Sequence, residues 1–187
     1  MNSIRAKMLL GGVFAGLVSL ILVAVNIYSV NQGTEALANV YEHQVVPVSA
    51  LQDIDRDLKD IRFRMAGVLL DQMPTAGSKI QAKEARANIP AQWALFKEET
   101  RQNTFTKEAA AQIDKIDKQQ GLLPAFLDKL EAAYSSEDKK TIAAMLEDEW
   151  PVIQSGLLKP VAQLADVQQA SVKAAYEENR ANGKKLI

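Results

Sequence analysis

Cysteine is absent from all 187 residues, and histidine occurs once, at His43. Without thiolates the chain has no disulfide scaffold, redox dithiol or cysteine-ligated metal. One histidine leaves no partner for a histidine-built zinc or copper site, and no CxxCH haem attachment is present. Glycine (9) and proline (6) are scarce and aromatics reach only 6%, a composition that favours helices over a twisted sheet. Neither sign of charge dominates: 22 basic side chains face 23 acidic ones, so the basic surface expected of a nucleic-acid binder is missing. No nucleophile–base pair and no metal-ligand constellation can be named. The sequence therefore reads as non-catalytic, with no cofactor and no metal.

What is present begins with an apolar run. Met8 to Val30 holds 23 residues without a formal charge, and a bilayer-spanning helix needs roughly 20. Asn26 and Ser29 sit near its outer end, and Tyr28 suits the interface belt. Arg5 and Lys7 precede the run, which sets residues 1–7 in the cytoplasm by the positive-inside tendency. Residues 31–187 then face outward, in a bacterium into the periplasm. A cleaved signal peptide is the alternative, but its apolar core runs only about 7–15 residues. The small-residue triplet Ala36-Leu37-Ala38 is also separated from the run by the polar stretch Asn31 to Glu35. The expectation is an inner-membrane anchor.

Beyond the anchor one periodicity recurs. Leu37, Val40, Gln44, Pro47, Leu51, Ile54, Leu58, Ile61, Met65 and Val68 fall 3 and 4 residues apart, the seam of a coiled-coil-like helix. That helix is expected to continue from the anchor and end near Asp71, where Met73-Pro74-Thr75-Ala76-Gly77 breaks it. Ala82, Ala85, Ile89, Trp93 and Phe96 predict a second helix over 78–102, bent at Pro90. Thr106 caps a third, carried by Ala109, Ile113, Ile116, Gln120, Leu123, Leu127, Leu130 and Tyr134. Ser135 to Asp138 ends it and caps a short helix over 137–149. Trp150-Pro151 interrupts, and a final helix follows through Leu157, Val161, Leu164, Gln168, Val172, Ala175 and Asn179, with a bend at Pro160. No hairpin signal or sustained alternation appears. The fold class is all-α: an antiparallel up-down-up-down four-helix bundle extending from an N-terminal transmembrane helix. An even number of helices returns Lys184-Lys185-Leu186-Ile187 to the bilayer, so a second spanning helix and a cytoplasmic signalling part are expected after residue 187.

The anchor with Arg5 and Lys7, the stretch VYEHQVVPVSALQDIDRDLKDIRFRMAGVLLD (Val40 to Asp71), and the late Trp150-Pro151 resemble bacterial methyl-accepting chemotaxis receptors with a four-helix-bundle periplasmic sensor domain. Val46-Pro47 near the base of the first helix, followed by leucines and arginines, belongs to this likeness, which covers essentially the whole chain. The resemblance implies a homodimer formed through the first helix and a small-molecule ligand, an organic acid or amino acid. It also implies a displacement of the last helix that crosses the membrane to control a kinase. Contacts with kinase and adaptor belong to the cytoplasmic part not present here. The same input bundle serves sensor histidine kinases and cyclic-nucleotide enzymes, and a membrane-tethered helical interaction module without a ligand is a third reading.

Arg62 heads the candidate ligand residues. It adjoins the seam at Leu58 and Met65 and shares the row Tyr41, Val48, Asp55, Arg62, Leu69. The resemblance implies that first-helix arginines grip a carboxylate at the dimer contact, where their planar forks fit it. Arg56 and Arg64 lie on other faces of the same helix, and Asp53, Asp55, Asp57 and Asp60 are at hand as i+3 or i+4 partners in an ordinary charge lattice. Trp150, Gln154 and Ser155 complete the ligand set by resemblance, against the reading of Trp150 as a plug at the end of the bundle. Trp93, Phe96 and Tyr134 are assigned to the core. Gln120 and Gln168 interrupt apolar stripes and are read as fixing register. His43 has no second ligand in sequence.

Overall fold

The computed structural model describes residues 45–184, together with Val23. The apolar run Met8–Val30, the lower part of the first stripe with His43 and Gln44, and the tail Lys185 to Ile187 lie outside the described residues. Among the described residues no helix is long and apolar enough to cross a membrane. The chain divides into two compact units, Met1–Tyr41 and Glu42–Ile187, and all the helices below belong to the second.

The first rod, α1 (Val46–Leu69), buries Leu51, Ile54, Leu58, Ile61, Met65 and Val68 along one stripe, as the spacing predicts. Pro47 stands in its first turn, where a missing N–H costs nothing. The helix closes in a Schellman arrangement: Gln72 N–H reaches Gly67 O (2.8 Å) and Asp71 N–H reaches Val68 O (3.2 Å). Asp71 takes the left-handed conformation there (φ 57°), a position glycine usually fills. The break is shorter than the sequence implies. α2 (Thr75–Glu99) restarts directly after Pro74 and runs unbroken through Pro90.

The third rod differs from expectation. It is not one helix but two, α3 (Lys107–Gln119) and α4 (Leu122–Ser135), meeting at Gln120-Gly121. Pro124 supplies the reason: its ring would clash with the carbonyl of residue 120 in a continuous helix, and it has no N–H to donate. Thr106 caps α3 as predicted, its hydroxyl accepting from Ala109 N–H at 3.2 Å. α4 ends in a second Schellman turn, with Glu137 left-handed at φ 54°. Asp138 then caps the next helix by accepting from Thr141 N–H at 3.0 Å.

The fourth rod also departs from the reading. Trp150-Pro151 does not interrupt it. The helical path continues from Lys139 to Lys184 as α5 (Lys139–Ala144), α6 (Trp150–Ile153) and α7 (Lys159–Lys184), joined by two π turns, Met145–Glu149 and Gln154–Leu158. Each rod packs on the next around a ring: α1 on α2, α2 on α4, α3 on α7, and α7 back on α1. This is the up-down-up-down bundle. Trp93, Trp150, Phe96, Leu58, Met65, Leu127 and Leu164 fill its interior, and Gly156 lets α3 come close, since a Cβ there would stand 3.0 Å from Gln119 Cγ.

Candidate functional site

The α1 arginines separate by what surrounds them. Arg56 pairs with Asp53 at 2.8 Å, with Asp57 at 3.7 Å, and Arg64 Nε donates to Asp60 at 2.6 Å. Arg62 is exposed. It is alone among the arginines whose side chains are described in having no carboxylate partner, since Arg86 pairs with Asp128 and Arg101 with Glu98. Sequence spacing explains this. A helical side chain meets those three and four residues away, and for Arg62 these are Leu58, Lys59, Met65 and Ala66. The lattice of aspartates therefore serves Arg56 and Arg64 and misses Arg62. Next to it, Phe63 stands 62% exposed.

Trp150 is buried and packs its ring on Phe126, with centroids 6.1 Å apart and planes tilted by 51°. Its indole N–H has no hydrogen-bond partner among the described residues. Gln154 is half-buried, while Ser155 is exposed and its hydroxyl donates back to Val152 O at 3.2 Å. No hydrogen bond or ion pair joins these three to the α1 arginines within the chain's described residues. Gln120 and Gln168 likewise make no bond to one another. Gln168 instead lines a polar recess of about 380 Å³ with Asn103, Thr106 and Ser171.

A polar cavity of about 290 Å³ opens between α1 and α2, lined by Arg56, Asp57, Asp60, Gln81, Glu84 and Asn88. Asn88 donates to Asp57 at 2.5 Å and ties the two helices together. Tracing apolar stripes misses Gln81, Glu84 and Asn88, because they flank the stripe of α2. Tyr134, read as core, is buried, and its hydroxyl has no partner among the described residues. Burial pushes its phenol well above the usual range; the Arg64 cation opposes this and Asp60 adds to it.

Between α2 and α3 lies a clamp that single-helix spacing does not disclose. Trp93 Nε1 donates to Asp117 Oδ1 at 2.8 Å, and Lys97 Nζ donates to the same oxygen at 2.9 Å. Burial works against the Asp117 charge, but the indole, the ammonium hydrogen bond and the Lys97 charge outweigh it and hold the carboxyl below its ordinary value.

A family described as a four helix bundle sensory module for signal transduction matches residues 1–183. No curated protein and no solved structure matches the chain.

Proposed function

The chain belongs to the four-helix-bundle sensory modules for signal transduction, a module typical of methyl-accepting chemotaxis sensor domains and non-catalytic; on that premise we propose that it is the input region of a chemoreceptor for a small anionic solute. The ligand is an organic acid or amino acid met in the periplasm, where such domains usually stand. Met8–Val30 anchors the chain, and residues 31–187 form the sensor. Two copies meet through the outer face of α1. Phe63, exposed on the helix beside Arg62, supports that face as an apolar contact.

The observation that carries the reading is the unpartnered Arg62 guanidinium. A planar fork with no carboxylate partner among the described residues is free to take a ligand carboxylate in two parallel hydrogen bonds. Arg56 and Arg64, each already holding an aspartate, complete the α1 part of the proposed ligand set, and Trp150, Gln154 and Ser155 are its proposed part on the last rod. Because α1 packs directly on α7, a ligand held at α1 acts on the rod that leads onward to the output. It signals only to the extent that it binds two arrangements of that rod unequally.

The test is a thermal-shift screen of residues 31–187 against small organic acids, amino acids and aromatic acids. A ligand confined to the folded state raises stability by about 2.7 kcal/mol at 100-fold excess over Kd. Each hydrogen bond to a charged group contributes about 1.5–3 kcal/mol, so Arg62→Ala should weaken an acid hit roughly 10- to 100-fold while helicity is unchanged. Arg62→Lys keeps the charge without the fork and should fall between. Unchanged affinity in Arg62→Ala refutes the assignment of the site. A broad panel with no hit refutes direct sensing and favours a ligand-free spacer or capture through another protein.

A further inference from the structure

We propose a second ligand site, separate from the α1 arginines, in the groove between α4 and the bulged stretch of the fourth rod, and assign it to small organic cations with an apolar body. One wall is the i, i+3, i+4, i+7 face of α4, formed by Leu122, Ala125, Phe126 and Lys129. The other is Asp148, Glu149, Val152 and Ile153. The groove is open to solvent along one side and holds about 400 Å³, within the range of ligand pockets. A cavity of about 150 Å³ already takes benzene, so this one has room for a ring with a short side arm.

Two features point to an occupant. Leu122 and Val152, on opposite walls, are 47% and 49% exposed, so large aliphatic side chains border a space the fold leaves unfilled. Phe126 lies between them at the bottom, backed by Trp150. The rim then fixes the sign of charge. Lys129 and Glu149 pair with each other across the groove, whereas Asp148 makes no hydrogen bond or ion pair among the described residues. With Lys129 neutralised by Glu149, the rim keeps one negative charge, and its complement is an ammonium group. An aryl-alkyl amine places its ring on Phe126, Leu122 and Val152 and its nitrogen at Asp148.

The site also has leverage. Asp148 and Glu149 belong to the first π turn, and Val152 and Ile153 to the single helical turn between the two π turns. Such bulges are frequent at functional sites. A molecule wedged here bears on the same rod that the α1 site addresses, from the opposite neighbour.

Calorimetric titration of the full 187-residue chain in lipid nanodiscs tests this, with phenethylamine as the probe and phenylacetate as its anionic counterpart. Phenethylamine should bind saturably and more tightly than phenylacetate. Ala125→Phe, at an exposed position of α4, fills the groove and should abolish amine binding while the helical melt is retained. Asp148→Asn should weaken it about two- to five-fold, the range of an exposed ion pair. Arg62→Ala should leave it unchanged, which separates this site from the acid site whatever becomes of the latter. The proposal is overturned by absence of saturable amine binding at millimolar concentration, by equal or tighter binding of phenylacetate, or by amine affinity indifferent to Ala125→Phe. Loss of amine binding in Arg62→Ala overturns it too.

Discussion

Replacing Asp117 in two different ways separates the hydrogen bond it accepts from the charge it carries. Trp93 is 1% exposed, stacked at 5.1 Å on Phe96, and its side-chain N–H donates to Asp117, its one acceptor among the described residues. Asp117→Ala removes that acceptor, and a buried donor left without a partner costs about 1–3 kcal/mol. The carboxylate is 42% accessible, so water partly replaces it and the lower half of that range applies, about 1.5 kcal/mol. Asp117→Asn keeps an oxygen for the indole and loses only the attraction to Lys97, about 0.5 kcal/mol for an exposed pair. The folded carboxyl sits below its unfolded value of 3.8, which fixes the pH dependence. The charge contribution is fully present above that value and is lost as pH falls through the lower, folded one. Urea melts followed by helical circular dichroism should therefore show a gap between the parent and Asp117→Asn that is flat through neutral pH and closes in acid below 3.8. A gap that widens in acid, or two variants of equal stability at neutral pH, refutes the reasoning.

Glu137→Gly should raise stability by about 1 kcal/mol, because a left-handed residue with a Cβ costs roughly 1–2 kcal/mol relative to glycine and Glu137 holds φ 54° on an exposed turn. A thermal midpoint at or below that of the parent counts against the Schellman assignment. Deleting Ser155, an exposed residue inside the second π turn, removes the extra residue and should leave a cooperative melt. Deleting the exposed Gln52 inside α1 rotates the buried residues on one side of it off the core and should abolish that melt; equal tolerance of both deletions argues against π turns in the last rod.

The four rods were legible because burial follows the stripes closely, from Leu51 to Val68 on α1 and from Ala82 to Phe96 on α2. The α1 aspartates offered as partners in a charge lattice do not reach Arg62, and the count explains why, since three and four residues either way meet no acid. The cavity between α1 and α2 was not legible. Which flank of a helix faces which neighbour depends on its rotation about its own axis, and stripe spacing fixes only the side that turns inward. For the same reason Asp117 gave no sign of meeting Trp93. They are 24 residues apart on different rods, and each belongs to a pattern that is complete without the other.

The last rod shows what the spacing held and how it was misread. On α1 the seam Pro47, Leu51, Ile54, Leu58, Ile61, Met65, Val68 steps 4-3-4-3-4-3, a heptad rhythm. On the fourth rod, Ile142, Leu146, Trp150, Ile153, Leu157, Val161 and Leu164 step 4-4-3-4-4-3. The two rhythms average about 3.5 and 3.67 residues per turn, either side of the α-helical 3.6, so an α-helix can follow both and the spacing alone does not call for a wider turn. A π turn holds an extra residue through its i to i+5 bonding. The two π turns fall within the two doubled steps. Prolines accompany both. Pro151 and Pro160 would collide with the carbonyls of Glu147 and Gly156 in an α-helix, and both carbonyls lie inside the π turns, where the backbone is wider. A third doubled step, Leu164-Gln168-Val172, has no proline after it and reaches only half-buried positions, and there the helix remains α. Pro151 and Pro160 thus follow widened stretches of a continuous rod, Pro90 stands inside a plain α-helix at the doubled step Ala85-Ile89-Trp93, and Pro124 follows the break at Gln120-Gly121, so neither proline nor the doubled step alone decides whether a helix widens, continues or ends.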